Sequence, residues 1–263
     1  LVPYAIRGAI WNQGYASQGG GLRYYENLHS LIRGWRIVWD RPDLPVYFHQ
    51  FYRGGGSHSG SEPSFGGAVD MRTATWLASK DIPNASMASQ IDIGGGIHYH
   101  NKATPGIRLA LQALKKTYGK DIVADGPMIK KYTVKGDKVV VEFDHADGGL
   151  VVGDPDPRNM AIPTVIPNGE DKVNLFYVAD ANRVWYPATF KIDGDKVIVS
   201  SPKVKQPRGV SYAGSGVGFQ PNLYNKALLP TTPFAYYDNE LVNAETWPEK
   251  AMKIHGVEPE IAG

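Results

Sequence analysis

Residues 86–119, SMASQIDIGGGIHYHNKATPGIRLALQALKKTYG, decide the fold. Their first eight residues (86–93) read as a strand, closed by Gly94-Gly95-Gly96. Thr104-Pro105 reads as an N-cap with proline at the first helical position. Ile107, Leu111, Leu114 and Tyr118 then fall on one helical face, and Gly119 stops the helix. Two similar units precede this one. Residues 5–11 are a short apolar run ended by Asn12-Gln13-Gly14, and Tyr25, Leu28, Leu31, Ile32, Trp35 and Trp39 recur at helical spacing over 23–39. Residues 45–51 read as a strand, 54–67 as a loop rich in Gly and Ser, and 68–79 as a helix stopped by Asp81-Ile82-Pro83. Strand and helix alternating three times imply a mostly parallel α/β sheet covered on both faces.

Beyond residue 125 the pattern changes. Residues 132–143 and 190–199 are each two alternating runs joined by Gly-Asp, the mark of a β-hairpin. With strand-like runs at 174–179 and 209–213 this region reads as an all-β, sandwich-like domain. No periodicity survives past Pro233. The expected division is therefore an α/β part over 1–125, a β part over 126–235 and an extended tail over 236–263.

Composition narrows the function. The 263 residues are 42% hydrophobic, enough for a large core, and 28 basic against 26 acidic residues leave a net charge of only +2. No Lys/Arg block stands out, so nucleic acid is not an expected partner. There is no cysteine, which excludes disulfides and thiolate metal sites. No run of 18 apolar residues exists, so no membrane-spanning segment is expected. The opening Leu1-Val2-Pro3-Tyr4, without methionine or leader, reads as the inside of something longer.

Parallel sheets carry their sites at the C-terminal ends of strands. Two such ends are polar here: Asn12-Gln13-Gly14-Tyr15 and the loop from Gly94 to Lys102. His98, in a glycine-rich loop between strand and helix, is placed to act as a general base, or else simply packs in its loop. His98 and His100 form half of a zinc site, but spacing signals no third ligand, so no metal or cofactor is expected. Gln13 has an amide that can serve a developing oxyanion, or it caps a turn. Asp92, between Ile91 and Ile93, is either bonded to the neighbouring loop or orients a histidine. The stretch 54–61 lacks the Gly-Lys-Ser/Thr of a phosphate loop, and His58 stands where a nucleophile elbow has serine. Asp154-Pro155-Asp156-Pro157-Arg158 fits a solvated turn better than a calcium loop. Trp76, Tyr99, Trp185, Tyr236 and Tyr237 are candidates for exposed, sugar-stacking aromatics, although core packing is the commoner use of such residues.

Several blocks together resemble the sialate O-acetylesterases of the SGNH hydrolase superfamily. Residues 6–14 (IRGAIWNQG) resemble their KGVIWYQGES block, and 24–36 resemble Y…L…LI.DWR. Residues 44–50 (LPVYFHQ) resemble FPFYFVQL. Residues 91–110 resemble IDIGD…DIHP.NK..VG.RLA, and 222–234 (NLYNKALLPTTPF) resemble NLYNKEGLPASPF. The blocks run in family order from residue 5 to about 235. The resemblance implies an SGNH-type three-layer α/β/α sheet, incomplete at its N-terminal side, followed by a β domain. It also implies a secreted, periplasmic or cell-envelope hydrolase that removes O-acetyl groups from sugars by serine acyl transfer. It makes His98 the catalytic histidine and Gln13, with Gly14, part of the oxyanion hole. Three positions depart from the pattern. The GQSNM-type nucleophile block is absent, so a serine would come from a preceding segment or a separate chain. Gly96 replaces the acid two residues before the histidine, and Tyr15 replaces the glutamate of QGE. Asp92 matches the upstream aspartate of DIGD and is the remaining acid available as an orienter. The losses also admit a catalytically silent relative used for glycan binding or assembly.

Overall fold

The computed structural model describes residues 2, 4–17, 20–51, 63, 67–94, 98–154, 164–167, 169–173, 175–215 and 221–242. The loop over 54–66 (apart from Pro63), Gly95, Gly96, most of the 154–158 turn and the end of the chain lie outside them.

The first part alternates β1 (Ala9–Trp11), α1 (Gly21–Val38), β2 (Val46–His49), α2 (Gly67–Asp81), β3 (Ala85–Ala88) and α3 (Ala103–Lys116). The three strands form a parallel sheet in the order β1-β2-β3. Alternation along the strands sorts the two faces. Val46, Phe48 and Met87 join α1 and α2 in the main core, with Ala9 and Trp11 packed against it. Tyr47, Ala88 and Leu109 form a separate cluster under α3, where the Tyr47 hydroxyl meets Thr117 Oγ1 at 2.7 Å. Helices therefore lie on both faces. Among the described residues β1 pairs on one side only, and Ile10, directed to the α3 face, is 65% exposed.

Three expectations change here. The strand foreseen over 86–93 ends at Ala88. The next residues turn away, with Ile93 N donating to Gln90 O at 3.0 Å, because the buried side chains of Gln90 and Asp92 find their partners outside the sheet. Asn101, not Thr104, caps α3, its Oδ1 accepting from Thr104 N at 3.1 Å. The buried face of α3 is Pro105, Arg108, Leu109 and Gln112, while Ile107, Leu114 and Tyr118 are exposed. A polar buried face is stable because its groups are bonded. Gln112 accepts from Ser86 Oγ at 2.9 Å and donates to Ala124 O at 2.7 Å and Asp125 Oδ1 at 3.0 Å.

The rest of the chain is β. In order come β4 (Met128–Lys135), β5 (Lys138–Asp144), β6 (Leu150–Asp154), β7 (Thr164–Val165), β8 (Phe176–Ala179), β9 (Trp185–Pro187), β10 (Thr189–Asp193) and β11 (Lys196–Ser200). β12 (Gly209–Tyr212), β13 (Leu223–Asn225), β14 (Phe234–Tyr237) and β15 (Glu240–Leu241) follow. The two Gly-Asp hairpins are β4-β5 and β10-β11. Gly136 and Gly194 take φ of 62° and 63° at the first turn position, as a type II′ turn requires. They sit in one antiparallel sheet, β10-β11-β5-β4, and a five-stranded sheet, β15-β14-β12-β8-β9, faces it. Phe190 packs on Phe176 and Phe143 on Phe234 across the gap. β13-β6-β7 form a third sheet. The start of the expected tail is a hairpin: β14 pairs with β15 through Asp238-Asn239, both at positive φ, and adds to the five-stranded sheet. The expected surface aromatics are also corrected. Trp76, Tyr99, Tyr236 and Tyr237 are buried, and Trp185 is half-buried.

One buried apolar cluster runs through both parts of the chain. The joint is polar and specific. Thr232 N donates to Pro127 O, and Asn225 Nδ2 to Asp125 O. At Gly126 the backbone lies so close to Pro230 O that a Cβ would collide with it.

Candidate active site

The three strand ends of the parallel sheet converge on a set of amide and hydroxyl groups. After β1, Gly14 is buried with φ at 149°, and a Cβ there would lie 3.0 Å from Met71 Cε and 3.2 Å from Phe51 Cδ2, so only glycine fits. Tyr24 donates to the carbonyl of Gln13 at 2.8 Å. That bond fixes the backbone and leaves the Gln13 side chain exposed at the surface. After β2, Gln50 is buried, accepts from Ser89 Oγ at 2.9 Å and donates to Arg72 O.

The loop after β3 is tied to the loop after β1 through Tyr99. Asn12 Nδ2 donates to the Tyr99 hydroxyl at 3.0 Å, and that hydroxyl donates to Gln90 Oε1 at 3.1 Å. Lys102 Nζ lies 3.5 Å from the Tyr99 ring centroid. The residues next to Gln13 and next to His98 are thus bonded to each other. His98 itself is exposed and has no hydrogen-bond partner among the described residues. The arrangement offers an accessible imidazole and an accessible amide on adjoining loops, over the buried and hydrogen-bonded Tyr99 and Gln90.

Asp92 is committed elsewhere. It is 4% exposed and receives Arg108 in a bidentate pair, Nη1 to Oδ1 at 2.6 Å and Nη2 to Oδ2 at 2.8 Å. Tyr224, from β13, adds a third bond to Oδ2 at 3.1 Å. Burial alone would lower the Arg108 guanidinium, but the Asp92 carboxylate outweighs it and holds the group above its ordinary value. Burial and the same carboxylate push the Tyr224 phenol well up, so it remains a donor. Arg108 Nη1 also donates to Ser89 O at 2.9 Å. Asp92 therefore joins the loop leading to His98, helix α3 and the β part in one buried knot.

His49, at the end of β2, is a buried histidine of this region. Its Nε2 lies 3.0 Å from Pro105 O, which can only accept, so the proton sits on Nε2. Burial pushes the imidazole down to about 4, leaving it neutral. Among the described residues no group of three or more His, Asp or Glu side chains is arranged to hold a metal, and no helix is long and apolar enough to cross a membrane.

The structure brings Gln13, Gly14 and His98 to one end of the sheet and places Asp92 in the knot below. Arg108 and Tyr224 are buried supports that sequence reasoning missed, as is the bond that joins Asn12 to Tyr99. Arg108 had a signal, since it shares a helical face with Leu109 and Gln112. Tyr224 had none, because its contact spans 132 residues.

No family model matches the chain, and no curated protein matches it. A solved structure does: the carbohydrate acetylesterase XAC1771 of Xanthomonas citri, 31% identical, with a TM-score of 0.72 over 89% of this chain and 51% of that one. The chain spans about half the length of that protein. In sequence as well as in fold, nearly the whole chain is similar to about half of a carbohydrate acetylesterase.

Proposed function

We propose that the chain is the C-terminal part of a sialate O-acetylesterase-like carbohydrate esterase of the SGNH superfamily, acting on O-acetylated sugars outside the cytoplasm. The observation that carries this is the Asn12–Tyr99 bond, which sets the Gln13 and His98 loops side by side at the strand ends. The similarity to a carbohydrate acetylesterase supports the substrate class. A serine on a segment outside this sequence attacks the acetyl carbonyl while His98 takes its proton, and the Gln13 amide N–H donates to the oxyanion. His98 then returns the proton to the departing sugar hydroxyl, and water releases acetate in the second half. The side of β1 that is unpaired among the described residues, exposed Ile10 and the apolar stripe Ile107, Leu114 and Tyr118 on the same face suit a further strand and helix bearing that serine.

A second reading is favoured by one observation: His98 has no acidic partner among the described residues, and Asp92 is taken by Arg108. On that reading the protein binds glycan or serves an assembly without hydrolysis. The full-length protein decides. Hydrolysis of an aryl acetate and of an O-acetylated sugar, serine labelling by a fluorophosphonate, and loss of both activities in His98→Ala support the esterase. An unlabelled protein whose His98→Ala variant still binds glycan sinks it.

A further inference from the structure

The opposite end of the sheet carries an open cleft of about 760 Å³. It lies where α1 ends and where the chain enters β2 and β3, so it is separate from the strand ends that hold Gln13 and His98. That volume is within the range of small-molecule sites. One wall is a stripe of α1 at helical spacing: His29, Arg33, Arg36 and Ile37. The other wall is Asp81, Ile82 and Pro83, at the end of α2 and just beyond it.

The polar groups of this cleft are held in place from behind. Asp81 has a side chain only 5% exposed, and its Oδ2 accepts from Tyr25 at 2.5 Å and lies 3.1 Å from His29 Nε2. Burial and the Asp81 charge push the Tyr25 phenol up, so it stays a donor. The carboxylate is thereby offset from within the fold, while His29, 36% exposed, lines the opening. Arg36 is pinned across the floor by Nε and Nη2 to Leu44 O and by Nη2 to Pro83 O, which leaves Nη1 unused by these bonds. Arg33, a turn earlier, is exposed and has no acidic partner among the described residues. Two guanidiniums and an imidazole thus face a space whose nearer carboxylate is already occupied. Asp40 is the other carboxylate lining the cleft. Ile37, Ile82 and Pro83 supply an apolar surface beside the charges.

We infer that this cleft binds a small organic acid of sugar-acid size, its carboxylate on Arg33 and Arg36 and its C–H-rich body against Ile37 and Pro83. Arginine is suited to carboxylate in this role because its planar fork presents paired donors. The apolar wall and the volume exceed what a bare oxyanion would use. The inference does not depend on the esterase reading, since no hydrolytic residue takes part.

The test is a titration of the purified protein followed by amide chemical shifts, with glucuronate, N-acetylneuraminate, glucose and inorganic phosphate as the probes. Both sugar acids should shift residues of α1 and of 81–83, and glucose should bind about tenfold more weakly or not at all. Arg33→Gln, at an exposed site that leaves the fold intact, should weaken the acids about tenfold, and Arg33→Lys should restore part of the loss. His98→Ala should leave this binding unchanged. Equal binding of glucose, equal binding of phosphate, or acids that ignore Arg33→Gln would each overturn the inference. So would shifts confined to the His98 end, whatever the outcome of the hydrolysis assays.

Discussion

Replacing Asp92 with asparagine keeps the shape of the side chain and removes its charge. Arg108 would then remain as a fully buried cation facing an amide that can accept only on one atom. Breaking a buried ion pair in this way costs about 3–5 kcal/mol, because the surviving charge is left uncompensated. The geometry favours the upper half of that range: both carboxylate oxygens are engaged at 2.6 and 2.8 Å and a third donor, Tyr224, approaches at 3.1 Å. Domains of this kind are stable by about 5–15 kcal/mol in total, so the variant should lose a large fraction of its margin. Urea unfolding followed by circular dichroism measures the change, with the slope of the transition checked for constancy. A double variant, Asp92→Asn with Arg108→Met, removes both charges and should be more stable than Asp92→Asn alone. If Asp92→Asn unfolds within about 1 kcal/mol of wild type, or if the double variant is the sum of its parts, Asp92 and Arg108 are not coupled as a buried pair. In that case the aspartate is free to orient His98 instead.

Three further outcomes follow from the packing. His49 is held neutral down to about pH 4, whereas the unfolded chain takes up that proton near 6.5. The unfolded state therefore binds more protons between those values, and stability falls as pH drops through that window, by about 3 kcal/mol at most. His49→Gln should flatten the stability profile between pH 7 and 4 by a comparable amount, and an unchanged profile contradicts the assignment. Tyr99→Phe removes the hydroxyl between Asn12 and Gln90 at a cost of about 1 kcal/mol in thermal unfolding. On the proposed esterase reading, it should also lower kcat of the full-length protein about tenfold with KM little changed. Gly126→Ala, which drives a methyl into Pro230 O, should cost about 1–3 kcal/mol, visible as a fall in Tm; no fall would mean the joint is loose.

The parallel α/β part was legible because its helices repeat with a clear period and its turns carry Gly and Pro. Both Gly-Asp hairpins were legible for the same local reason. What escaped were the places where tertiary bonding overrides local preference. The apolar stripe of α3 pointed to a buried face, yet Arg108 and Gln112 go inside because Asp92, Ser86 and Ala124 meet them there. Asp238-Asn239 is a turn that looked like the start of a tail, because asparagine and aspartate accept positive φ without announcing it as glycine does. At the site, Gln13 and His98 became candidates from their places in polar loops at strand ends, and the family blocks then singled them out. Their link through Asn12 and Tyr99 spans 87 residues, a pairing that neither spacing nor composition contains.

The open side of β1 has a practical consequence for handling the protein. A strand with one edge unpaired among the described residues and an isoleucine turned outward is a template for a second copy of itself. Expressed as this chain alone, the protein should self-associate as its concentration rises, and refolding from denaturant should lose material to aggregates in competition with folding. The short length of β1, three residues, limits the grip of such a contact and should keep it reversible at low concentration. A charged side chain in place of Ile10 would raise the yield of monomer without touching either the His98 end or the cleft.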